Sequence, residues 1–309
     1  MRIASLLASG TEIAWALGLG DDIVAISHEC DYPLEVLDRP RVTRPRFDPS
    51  GLSSGEVDAA VREAMAVAGS VYRVDGDELN RLKPELLLTQ AVCDVCAVPA
   101  SDAEAAVREL GEEVAVLSLD AHTIDGILAT ISQVGAATGT PERAEHFIVE
   151  LAVRLDRVRE RVAGLPRPTV LGIEWLDPPF VPGHWVPEMI EIAGGTNLKG
   201  STGERSVEVD WKNIASLDPD VLLIMPCGYD LEAARKDADI HAQKLLKLAP
   251  RAISERRAFV VDASSYFNRS GPRVVDGVEI LAALLHAGRF PEVRLEGRGA
   301  VWTPPDSET

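Results

Sequence analysis

Short apolar runs recur along the chain and alternate with segments of a different period. RIASLL (2–7), DIVAIS (22–27), ELLLTQ (85–90) and VAVLSL (114–119) read as buried strands. Between and after them, residues 11–18, 54–68, 76–82, 102–110 and 123–137 place apolar side chains three and four apart, the spacing of one helix face. The same alternation resumes with TVLGIEW (169–175), VLLIMP (221–226) and AFVVDA (258–263). Helices are predicted there near 187–193, 210–217, 231–247 and 273–287. Strands separated by helices predict parallel, doubly wound sheets.

One segment breaks the alternation. In PERAEHFIVELAVRLDRVRERVAGL, Ala144, Phe147, Ile148, Leu151, Leu155, Val158 and Val162 form a continuous stripe at helical spacing. Thr140 is placed to cap this helix, Pro141 suits its first position and Gly164 stops it. The predicted organisation is an α/β lobe over 1–139, a connecting helix over 140–164, and a second α/β lobe with a tail over 165–309. An internal echo supports two lobes of one plan. DELNRLKPELLLTQ (77–90) and DWKNIASLDPDVLLIMP (210–226) both run from an acidic cap through a short helix to a buried strand. Ligands of such lobes are expected in the crevice between them, outside the carboxyl ends of the strands.

Charge narrows the partners. With 31 basic and 49 acidic residues the net charge is −18, without a basic patch for nucleic acid or an anionic membrane. No stretch is long and apolar enough to span a bilayer. Met1 leads directly into the first strand. As written, the chain is expected in the cytoplasm; a removed leader would make it periplasmic or a lipoprotein.

The four cysteines each follow a predicted strand: Cys30 in SHECDYP, Cys93 and Cys96 in AVCDVCAV, and Cys227 in MPCG. They are candidate ligands for zinc or an iron–sulfur cluster, a redox pair at Cys93 and Cys96, or small side chains that simply pack. His28 and His184 follow strands on the same side. No G-x-S-x-G elbow, H-E-x-x-H pair or P-loop is present, so no catalytic set is assigned. Glu174 and Asp177, near His184 in sequence, are the remaining acid–base candidates.

Five segments carry a resemblance. SGTEIAWALGLGDDIVAISHECDYP, LNRLKPELLLTQ, WLDPPFVPGHWVPEMIEIAGGTNL, LDPDVLLIMPCG and SSYFNRSGPRVVDG resemble, in order, the cobalamin-binding proteins of the helical-backbone metal-receptor superfamily. These are ABC-transporter substrate-binding proteins with two Rossmann-like lobes and one connecting helix. The resemblance implies a corrinoid, haem or other metal chelate held between the lobes. Tyr32, Trp175, Phe180, Trp185, Tyr266 and Arg269 match its ligand-contacting positions. His28, His184 and Tyr229 are added as loop residues of the same cleft. It also implies an ABC permease that docks on one acidic residue per lobe. Asp77 is the lobe-one match, whereas Lys212 stands at the lobe-two position. The alternative expectation is a cytoplasmic metalloprotein whose cysteines ligate a metal or cluster in the same cleft.

Overall fold

The computed structural model describes residues 1–90 and 114–305; the predicted helix 102–110, Cys93 and Cys96 lie outside them. Lobe one begins with β1 (Ile3–Ser5), α1 (Ala8–Ala16), β2 (Ile23–Ala25), β3 (Thr43–Pro45) and α2 (Ser54–Ala68). It continues with β4 (Tyr72–Val74), α3 (Gly76–Leu82), β5 (Leu86–Thr89), β6 (Ala115–Ser118) and α4 (Ile124–Thr138). Its main sheet is parallel, in the order β2-β1-β5-β6, while β3 and β4 form a separate antiparallel pair.

The connecting helix is α5 (Pro141–Val162), roughly 33 Å long at 1.5 Å per residue. Lobe two opens with β7 (Thr169–Ile173), β8 (Trp175–Leu176), β9 (Pro179–Val181), α6 (Val186–Ile192), β10 (Thr196–Asn197) and β11 (Val207–Glu208). Then come α7 (Trp211–Ile214), β12 (Val221–Ile224), α8 (Leu231–Ile240), α9 (Ala242–Leu248) and α10 (Pro250–Ser254). The chain closes with β13 (Ala258–Val261), α11 (Ala263–Tyr266), α12 (Val274–Leu285) and β14 (Gly299–Val301). The second main sheet runs β10-β7-β12-β13-β14, parallel except for β14.

The strand runs are apolar without alternation because both faces are covered. Leu86 and Leu88 face the core shared with α5, whereas Leu87 faces the outer core of lobe one. Likewise Val221 and Leu223 point one way, and Leu222 and Ile224 the other. A strand's period of two explains both divisions. α2 covers the span predicted for it, with a capping box between Ser53 and Glu56 and Gly69 in the left-handed conformation at its end.

α5 packs on α4 of lobe one and α12 of lobe two. Its stripe joins one continuous apolar cluster that includes Ile3 and Leu88 on one side and Val170 and Phe259 on the other. Arg154 reinforces the second contact, donating to Asp276 at 2.7 Å and to both oxygens of Glu279. A helix docked on both lobes resists bending far more than a Gly-rich linker would. Thr140 does not cap it; the Thr140 hydroxyl meets that of Thr138 at 2.9 Å instead.

Three other local readings are corrected. The predicted helix 231–247 is two helices, with His241 at the break and its Nδ1 2.9 Å from the Asp237 carbonyl. The helix expected over 210–217 shrinks to Trp211–Ile214. Residues 299–301, read as tail, form the antiparallel edge strand of the second sheet. No helix among the described residues is long and apolar enough to cross a membrane.

Candidate functional site: the interlobe cleft

The loops after β2, β12 and β13 converge between the lobes. They line an open concavity of about 310 Å³, with His28, Glu29, Asp31, Tyr229, Asp262 and Arg269 on its walls. Parallel strands deliver their following loops to one sheet edge, which is why residues so distant in sequence meet here.

Two arginines of lobe two reach across to lobe one. Arg269 pairs with both carboxylate oxygens of Asp31, with Nη2 2.9 Å from Oδ2, and donates to the Glu29 carbonyl at 3.1 Å. Arg273 donates to Glu12 at 2.7 Å and to Asp31 at 3.1 Å. Burial pushes Asp31 up, but the arginines outweigh it and hold its carboxyl below the usual range. Glu12 lies in α1 with its side chain 2% exposed, and there burial wins: its carboxyl is held above the usual range despite Arg273 and Arg269. The Oε2 atom of Glu12 and the Nε atom of Arg273 are buried without a partner among the described residues. The lobes touch at this latch. A Cβ at Gly271 would stand 3.1 Å from the Ser9 Cβ and 3.3 Å from Glu12 Oε2.

The aromatic candidates divide by exposure. Tyr32 is 48% exposed at the cleft mouth, with the Arg273 guanidinium 4.8 Å from its ring centre. Tyr266 also meets Arg273, at 5.7 Å. Tyr229 lines the cavity, and burial together with the charge of Asp237 pushes its phenol up to about 12. Behind it stands Trp175, edge-on at 5.3 Å, its Nε1 donating to the carbonyls of Ser54 and Asp177. Phe180 faces Trp175 across the β8–β9 pair. Trp175 therefore supports the cavity wall through Tyr229.

Trp185, expected at the ligand, is placed in the core and not on the cavity wall. It is 6% exposed, and its Nε1 donates to the Phe267 carbonyl at 2.7 Å. The sequence signal, an aromatic in a loop, was real, but α6 begins at the next residue and turns the indole inward. His28 lines the cavity with Nδ1 2.7 Å from Thr43 Oγ1 and Nε2 3.1 Å from Glu29.

His184 stands apart from this cavity, stacked at 5.6 Å on His122, which follows β6 of lobe one. Its Nε2 is buried without a partner among the described residues. Burial, then the neighbouring His122 and Arg205, lower its pKa below the ordinary 6.5. A depressed histidine contributes stability that is present above its unfolded pKa and lost as pH falls through the folded one. The expected result is an imidazole titration midpoint for His184 below 6.5, followed by proton NMR, with acid weakening this contact. A midpoint at or above 6.5 would overturn the assignment.

Glu174 and Asp177 have other partners: Glu174 accepts from Ser206 at 2.7 Å, and Asp177 faces Lys244 at 3.7 Å and His241 at 3.8 Å. Cys30 is 1% exposed and set against the Thr11 hydroxyl of α1 at 3.1 Å. Burial pushes its thiol up to about 11, so it is protonated at neutral pH. Cys227 is half-buried after β12, its amide bonded to the Glu174 carbonyl. Among the described residues no three His, Cys, Asp or Glu side chains are grouped to hold a metal ion.

Sequence reading missed Glu12, Asp31, Arg273, His122, Asp237 and His241. Some signals were available. Arg273 follows Arg269 by four residues in one loop, and Glu12 is the one charged residue of α1.

Two α/β lobes, one rigid connecting helix and a polar cleft with an aromatic rim define an interlobe binding protein. The chain belongs to the periplasmic binding protein family, whose profile matches residues 3–264, and its single connecting helix is that of the helical-backbone metal receptors. It is 23% identical over 290 residues to the vitamin B12-binding protein of Vibrio cholerae O1 El Tor, covering 92% of this chain and 88% of that one. An uncharacterized ABC transporter substrate-binding lipoprotein of Bacillus subtilis, YvrC, is 23% identical over 299 residues, covering 94% and 82%. Among solved structures, the periplasmic vitamin B12 binding protein BtuF of Vibrio cholerae superposes with a TM-score of 0.67 at 22% identity, over 92% of this chain and 96% of that one. A periplasmic heme binding protein from Pseudomonas aeruginosa gives 0.67 at 22% identity, over 93% of each chain. Relatives described as periplasmic or as lipoproteins give no support to the cytoplasmic expectation.

Proposed function

We propose that the chain binds cobalamin or a related corrinoid in the interlobe cleft and presents it to an ABC permease, from a periplasmic or lipoprotein setting. The observation that carries this reading is the cavity itself. Arg269 supplies a guanidinium for an amide or carboxylate rim, and Tyr32, Tyr229 and Tyr266 supply aromatic faces. A corrinoid exceeds 310 Å³ and would extend out of this concavity, with the Arg269 guanidinium, paired here with Asp31, at its wall. The relatives named as vitamin B12-binding proteins support the same class. Asp77, exposed in α3, and Lys212, exposed in α7, are the proposed permease-facing positions. Lys212 requires a permease contact of the opposite sign there. A cysteine-ligated centre is the weaker reading, because Cys30 is a buried, protonated thiol.

The test is an absorbance and fluorescence titration with cyanocobalamin, cobinamide and haem. Saturable corrinoid binding, about micromolar or tighter, is expected. Tyr229→Ala is expected to weaken it by roughly 1–3 kcal/mol, the usual range for a central aromatic anchor. Saturation by haem alone would replace the corrinoid with another chelate, and no saturation by any of the three would sink the reading.

A further inference from the structure

A second concavity lies away from the cleft, where α5 meets α12 and the segment leading to β14. It measures about 410 Å³ and is lined by five arginines, Arg154, Arg157, Arg161, Arg294 and Arg298, against three carboxylates. In a chain of net charge −18, read from its sequence as lacking a basic patch, this is a local inversion of sign that only the fold assembles. The carboxylates are already committed. Asp276 and Glu279 hold Arg154, and Glu292 holds Arg161, whose guanidinium also stacks on Phe290 at 4.2 Å from the ring centre. Arg157, Arg294 and Arg298 have no carboxylate within ion-pair distance among the described residues, although the Glu292 carboxylate feels the charge of Arg157 from further away. Three permanent positive charges thus converge on one concave surface, with Val158, Val293 and Phe290 beside them.

We propose that this groove is a binding site for a phosphorylated small molecule carrying at least two negative charges, held by Arg157, Arg294 and Arg298. Guanidinium groups pair with phosphate through two parallel N–H···O bonds, and a concave wall focuses their field. The cavity volume falls in the range of small-molecule sites. The groove also adjoins the cleft latch through one side chain. Arg298 stands 5.4 Å from the Tyr266 ring centre, and Arg273 meets the same ring at 5.7 Å.

Pyrophosphate is the probe, titrated by calorimetry without divalent cations into the whole chain. Binding below about 1 mM is expected at low salt, persisting in weakened form near 0.15 M sodium chloride. Arg157→Ala/Arg294→Ala, both at exposed positions without ion pairs, should weaken it at least tenfold while leaving the unfolding midpoint in place. Arg298→Gln provides a second variant and should weaken it in the same direction. Arg269→Ala, in the cleft, should leave pyrophosphate affinity unchanged. Equal affinity in the double variant, loss through Arg269→Ala instead, or complete abolition by 0.15 M salt would each overturn the site. Sedimentation with phosphatidic acid vesicles separates a lipid phosphate from a free one. Co-sedimentation without pyrophosphate binding also counts against the proposal.

Discussion

Replacing Arg273 with alanine is expected to destabilise the chain by about 3 kcal/mol in urea unfolding near neutral pH, the lower end of the cost of leaving a buried charge without its partner. The substitution removes the 2.7 Å hydrogen bond to Glu12, whose side chain is 2% exposed and whose second oxygen already lacks a partner among the described residues. Arg269, 3.6 Å away, compensates in part. Glu12 should be the source of the loss, and pH tests that. A carboxyl raised by burial favours the native state below its ordinary value of 4.5, and that advantage is lost as pH rises through the folded value. Losing Arg273 raises Glu12 further, so the deficit at about pH 8 should exceed that at about pH 5. Glu12→Gln in the Arg273→Ala background should recover most of the stability, since an amide needs no counterion. A deficit that is constant with pH and is not recovered would assign the effect elsewhere.

Trp302→Ala should cost roughly 3–5 kcal/mol, the range for truncating a buried tryptophan. Trp302 is 0% exposed, directly after β14, in the second core of lobe two with Leu222, Ile224 and Val260. Its indole N–H donates to Asp239 at 2.8 Å, so the substitution leaves a cavity and removes that hydrogen bond, while the backbone amide keeps its bond to the Ala258 carbonyl. Chemical denaturation followed by far-UV circular dichroism measures it. Trp302→Phe, which keeps most of the volume, should lose less than half as much. A change within 1 kcal/mol for the alanine variant, the ordinary size of a surface substitution, would mean that the C-terminal strand does not anchor lobe two.

The two arguments fall on opposite sides of what could be read before the fold was known. Glu12 and Arg273 are 261 residues apart, and no local pattern relates them. Each sat in a segment already singled out, SGTEIAW and NRSGPR, yet pairing them required knowing that α1 and the loop before α12 face each other across the cleft. Trp302 was hidden for another reason. GAVW is too short for a period of two to stand out from an irregular tail, and its burial comes from strands that precede it by dozens of residues. The aromatic loop residues show the same limit. Trp175, Trp185 and Tyr229 share a chemistry in sequence, but only Tyr229 lines the cavity, with Trp175 behind it and Trp185 in the core.

What the sequence determined by itself was everything set by local periodicity and whole-chain composition. The apolar runs LLL (86–88) and VLLI (221–224) specify strands covered on both faces, because a run with no polar position has no side to offer water. The stripe from Ala144 to Val162 specifies one long helix, and a helix needs only its own residues to form its hydrogen bonds. Alternating strands and helices then leave parallel sheets in two lobes as the arrangement that buries those faces. The tertiary structure alone decided which charges meet. Arg269 and Arg273 close on Asp31 and Glu12, Arg157, Arg294 and Arg298 converge without carboxylates, and Cys30 turns inward to Thr11. Those outcomes depend on the angle and separation of lobes packed against α5, which are properties of the assembled core rather than of any segment within it.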